Sequence, residues 1–223
     1  MRGDDPTNAV DRSDSPPTGV PLVDLSWVDL KVVGISTSYK TEAYVTKFFV
    51  KCLVLKAGRH SSFFSVVPSE STESVCLGRS VTNPPFFYMY TCLFADLHVS
   101  LPFDKFTMGV LWALNVAPTQ ILPNTWASIQ AFRLLCDVMR LHPSHSSFLS
   151  YYTSHPAQPV SWHSLIGRSG SVLFNSFVVS SKRFKERFVK FIIRPKATTY
   201  FLDEAGRSRF PLYWTRQPRD FKV

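Results

Sequence analysis

The chain has 223 residues, 45% of them hydrophobic and 18% charged, with a net charge of +9. That balance supplies apolar surface for a packed core and excludes wholesale disorder, and the length fits one domain once an unstructured leader is set aside. No apolar run approaches the roughly 20 residues of a membrane span, and the polar start Met1-Arg2-Gly3-Asp4 is no secretory signal. The sequence therefore reads as soluble and intracellular, nuclear or cytoplasmic, with no membrane partner.

Residues 1–21 are rich in Asp and Pro and poor in apolar side chains, so they cannot offset their ordering entropy and read as a disordered leader. Residues 22–218 then form a single α+β domain, and 219–223 a short tail. Thr41 stands where an N-cap would open a first helix through Phe48 and Val50, with a stop signal at Gly58. Ser61–Val67 and Ser74–Leu77, separated by Pro68, Ser69, Glu70 and Ser71, suggest a small N-terminal hairpin. A helical core is expected over about residues 86–152. It begins in the apolar run Phe86–Leu97 and continues in a helix capped by Asp104 and ended before Pro118. A third helix follows Asn124 with apolar residues at period 3.6, and a short one spans Ser144–Tyr152. Trp126 and Phe132 fall on the core face of that third helix. A few C-terminal strands complete the picture: Val160–Leu165 and Ser171–Phe174 about a Gly167–Gly170 turn, and Phe210–Trp214 last. Between them, Ser180 or Ser181 caps a helix that converts to a strand around Phe188–Ile193.

The charge is uneven. Residues 1–159 carry twelve basic and twelve acidic side chains, whereas residues 160–223 carry thirteen basic against four acidic, which is the whole of the excess. Lys182, Arg183, Lys185, Arg187, Lys190, Arg194, Arg207 and Arg209 interleave with Phe184, Phe188, Phe191, Tyr200, Phe201 and Phe210. Basic side chains neutralise phosphates and aromatic faces stack on unpaired bases, so these eight cations are the candidate nucleic-acid-binding residues, with RNA or DNA as partner. The competing reading makes the aromatic stripe core and the cations its solvated face.

Cys52, Cys76, Cys92 and Cys136 lie too far apart in sequence for a zinc ribbon and read as reduced, mostly buried thiols. A two-metal nuclease needs converging carboxylates, and Asp104, Asp137, Asp203 and Glu204 are better explained as caps, a solvated helix face and a turn. His142, His145, His155 and His163 read as surface or capping residues. The sequence therefore points to a non-enzymatic protein with no metal or cofactor. A protein-interaction module and a metal-dependent transposase-type nuclease are the alternatives.

The strings PPFFYMYTCLFADL from Pro84, LPFDKF from Leu101, LNVAPTQILPNTWASIQAF from Leu114, FKERF from Phe184 and FPLYWT from Phe210 resemble the gypsy-type transposon family of plants. With WVDL from Trp27 and VCLGR from Val75, the resemblance covers residues 27 to 218. It implies a protein derived from a retrotransposon, with a second copy of the chain or other element-encoded proteins as further partners, and it carries over no catalytic residue.

Overall fold

A computed structural model of the chain describes residues 24–52, 62–70, 72–78, 84–170, 173–174 and 183–221. In order these form α1 (Leu30–Val33), α2 (Glu42–Lys51), β1 (Phe64–Val67), β2 (Phe86–Tyr90), α3 (Thr91–Ala95), α4 (Lys105–Leu114), α5 (Pro123–Val138), α6 (His145–Ser150), β3 (Tyr152–Ser154), β4 (Leu165–Gly167), β5 (Phe188–Ile193) and α7 (Thr198–Phe201). The class is α+β.

Strand β5 lies in the middle of a three-stranded antiparallel sheet of order β1-β5-β2. Its alternation sets the core: Val189, Phe191 and Ile193 share one face, while Phe188, Lys190 and Ile192 share the other. Phe191 pairs with Phe87 of β2, and their rings stack at 5.5 Å. Phe64 of β1 meets both rings edge-on, and Phe201 and Phe210 extend the cluster. Offset and edge-to-face contacts of this kind add specificity to the burial of large apolar area. Strands β3 and β4 form a separate two-stranded sheet.

Several expectations hold because the signals are local. Asp104 caps α4, its Oδ1 accepting the Thr107 amide at 2.7 Å. Ser144 caps α6, and Thr41 occupies the N-cap position of α2. Trp126 and Phe132 are buried on α5. That helix ends with Arg140 at φ 56°, where the Leu141 amide donates to the Cys136 carbonyl and the Arg140 amide to the Asp137 carbonyl, a Schellman closure.

Other expectations are corrected. The N-terminal hairpin does not form: β1 pairs with β5, and Ser74 instead bridges Ser36. Phe86–Leu97 opens as strand β2 rather than as helix, since a run buried on both faces has no period to read. Leu122, not Asn124, is the N-cap of α5, with Pro123 in its first turn. Val160 and His163 make single bridges, to Val28 and Ile121, and the strand in that region is β4. Phe210–Trp214 is irregular. Its end is tied to the α4–α5 loop by Trp214 Nε1 donating to Thr119 Oγ1, and the next residue by the Thr215 amide donating to Gln120 Oε1. Of the helix expected ahead of β5, residues 183–187 form turns, with the Arg187 amide donating to the Phe184 carbonyl, and β5 takes the strand alternative. The leader, Gly58, Ser171, Ser180, Ser181 and the last two tail residues fall outside the described residues.

Candidate nucleic-acid interface

Strand β5 distributes the candidate cations. Arg183, Lys185 and Arg187 precede it and Arg194 follows it; Arg207 and Arg209 lie in the turn after α7, and Lys182 is outside the described residues. With a rise of about 3.3 Å per residue, Arg187 and Arg194 are separated by about 23 Å of backbone. The seven described cations therefore do not form one cluster.

Lys190, between the two ends, is engaged internally. Its Nζ forms an ion pair with the Glu73 carboxylate and sits 4.4 Å from the centre of the Phe86 ring. At the exit of β5, Arg194 Nε donates to Ser65 Oγ at 2.8 Å. Beyond α7, Arg207 Nε pairs with Asp203 Oδ2 at 2.8 Å. The Arg207 amide, then its guanidinium, with the Ala205 amide, hold the Asp203 carboxyl below its ordinary value. Gly206, at φ 73°, closes that turn. Arg209 is exposed.

The entry end is different. A cleft of about 450 Å³ is lined by Tyr39, Tyr44, Lys47, Phe48, Cys52, Thr91, Cys92, Ala95, Asp96, Phe184 and Arg187. Helix α2 builds one wall because Val45 and Phe48 point inward, leaving Tyr44 and Lys47, three residues apart, on the neighbouring exposed face. Phe48 is fixed by edge contacts to Tyr39 and Phe94 at 5.8 Å each. Helix α3 supplies Cys92 and its C-cap Asp96 to the opposite side. Burial pushes the Cys92 thiol up to about 12, Asp96 adding to the rise and Arg187 opposing it, so both charges act on one wall of the cleft. Lys185, next to the lining Phe184, holds its ammonium 4.1 Å from the Trp162 ring centre.

The interleaved aromatics Phe184, Phe188, Phe191, Phe201 and Phe210 are buried, so they are core rather than stacking platforms. The accessible ring at the cleft is Tyr44, 60% exposed. Tyr44 and Lys47 escaped the sequence reading because they lie in the charge-balanced front of the chain. The signal that could have found them is the i, i+3 pair bordering the apolar face of α2.

His163 also departs from expectation. It is 2% exposed rather than at the surface, and neither ring nitrogen has a hydrogen-bond partner among the described residues. Burial lowers its pKa to about 4, with Asp220 opposing the shift. Among the described residues no three His, Cys, Asp or Glu side chains gather as a metal site would require, and no helix is long and apolar enough to cross a membrane. Compared with protein families, curated proteins and solved structures, the chain finds no match.

Proposed function

We propose that the protein is a non-enzymatic binder of nucleic acid that engages the phosphate backbone through the cleft at the entry to β5. The observation that carries this reading is the placement of Lys47 and Arg187, from chain segments far apart in sequence, around one open cleft, with exposed Arg183 and Lys185 flanking the lining residue Phe184 in sequence. Cations gathered on one surface release counterions on binding, which makes affinity steep in salt. The retrotransposon setting of this reading rests on the resemblance in the sequence strings.

Anisotropy of labelled single-stranded RNA and DNA against the full chain tests it. Replacing both Lys47 and Arg187 by Gln removes two contacts, so the log–log salt slope becomes shallower by about 1.4 and affinity at low salt falls about tenfold. Unchanged affinity and slope would place any binding elsewhere.

A second reading, association with protein alone, has its own support. Leu134, Val138 and Leu141 at the end of α5 stand 59%, 82% and 55% exposed. Light scattering that finds concentration-dependent dimers in a protein that retains no RNA or DNA selects it.

A further inference from the structure

The cleft at the entry to β5 is not a plain cationic patch. Lys47 and Arg187 line it together with the Asp96 carboxylate and the rings of Tyr39 and Tyr44. A bare polyanion such as polyphosphate or a sulfated sugar can use the two cations, but its charge then lies against Asp96, and it has nothing to place on the rings. A nucleotide differs in kind. It is anionic at one end, flat and apolar on two faces, and rich in N–H and O–H donors along the base edge and sugar. Phosphate suits the cations, a base face suits Tyr44, and a base amine or ribose hydroxyl suits a carboxylate acceptor.

Size selects among nucleic-acid forms. About 450 Å³ lies within the range of roughly 300–1,000 Å³ typical of sites that enclose one small ligand. Within a duplex, base faces are covered by neighbouring base pairs and the Watson–Crick edges are occupied by pairing, so no base can lie on Tyr44 in so small a space. Resting on the reading proposed above, we infer that the cleft takes a single unpaired nucleotide of single-stranded nucleic acid. The phosphate meets Lys47 and Arg187, the base lies on Tyr44, and Asp96 accepts a hydrogen bond from the base or sugar. The two elements that frame it, α2 and α3, are anchored by buried Val45 and Phe48 on one side and Leu93 and Phe94 on the other. The site is therefore held by core packing, and Tyr44, exposed on its helix, can be replaced without opening the core.

The test uses the full chain and three probes: a labelled mixed-sequence ten-nucleotide RNA, the duplex formed with its complement, and inorganic polyphosphate. The single strand is expected to bind about tenfold tighter than the duplex despite the lower charge. Tyr44→Ala should weaken the single strand about tenfold and leave polyphosphate unchanged, and Tyr44→Phe should restore it. Equal binding of single strand and duplex overturns the inference, and so does a Tyr44→Ala protein with undiminished affinity for the single strand. The Lys47→Gln/Arg187→Gln protein separates the two levels of the argument. If it binds every probe as before, the backbone contact itself is absent. If it loses affinity while Tyr44→Ala does not, only the unpaired-base inference falls.

Discussion

At its entry, β5 leads from Arg187, which lines a cleft shared with Lys47, Tyr39 and Tyr44; at its exit, Arg194 donates to Ser65, and farther along Arg207 pairs with Asp203. Both ends are cationic. They differ in what the surrounding chain does with the charge: one end has two helices whose packing leaves an opening, and the other has a tight turn whose carboxylate, held by the Ala205 and Arg207 amides, engages the Arg207 guanidinium. Availability for a partner is thus a property of neighbours, not of local charge count.

The contrast depends on Lys190 acting as a break between the ends, and that is where the largest effect is expected. Its side chain and that of Glu73 are 13% and 16% exposed. Lys190→Met would leave a buried carboxylate without its partner and destabilise the fold by about 3 kcal/mol, read from denaturant midpoints. Adding Glu73→Leu should recover most of the loss. A cost below about 1 kcal/mol would mean that Lys190 behaves as a surface cation, and the two ends would then merge into one strip.

Acid probes the same contrast from another side, because lysine and arginine side chains do not titrate below neutrality while a buried histidine does. His163 is held neutral by burial, its pKa lowered from 6.5 to about 4. The unfolded chain therefore binds the proton more readily than the folded one between those values. Stability is complete above pH 6.5 and declines by about 3 kcal/mol as pH falls to 4, Asp220 already opposing part of the shift that burial causes. His163→Leu should flatten that profile in thermal melts across pH. Nucleic-acid binding lost over this window in the parent but retained in His163→Leu would report on the fold and leave the cleft intact. A parent profile that is already flat would show that His163 finds a partner in solution.

The smallest effect is expected at the exit end. Arg194→Gln with Arg209→Gln removes as much charge as Lys47→Gln with Arg187→Gln, yet should change single-strand affinity by less than about twofold at 0.15 M salt, where separated surface charges are largely screened. Equal losses from the two pairs would erase the distinction between the ends.

How far this could be read from the sequence varies with the range of the interaction. The caps at Asp104 and Ser144 and the apolar period of α5 are decided within a few residues, and they were legible. Phe86–Tyr90 was not, because a strand buried on both faces and a buried helix share the same unbroken apolar run. Ser74–Leu77 has strand-like residues but makes only a single bridge, from Ser74 to Ser36, while β1 takes its partner from β5, which lies more than a hundred residues away. Arg187 was identified as a candidate from the charge map. Tyr44 and Lys47 were not, since the front of the chain has no net charge to draw attention to them.

Alone, the sequence determined an α+β class, the main helices with the cap positions Thr41, Asp104 and Ser144, an aromatic core and a C-terminal excess of positive charge, all of which follow from composition and from periodicity over short windows. Only the tertiary structure decided that β5 is central, that it separates those charges into two ends, that Glu73 engages Lys190, and that α2 brings Tyr44 and Lys47 beside Arg187. The reason is physical: strand pairing and charge pairing join residues far apart in the chain, and nothing local to either partner records the other.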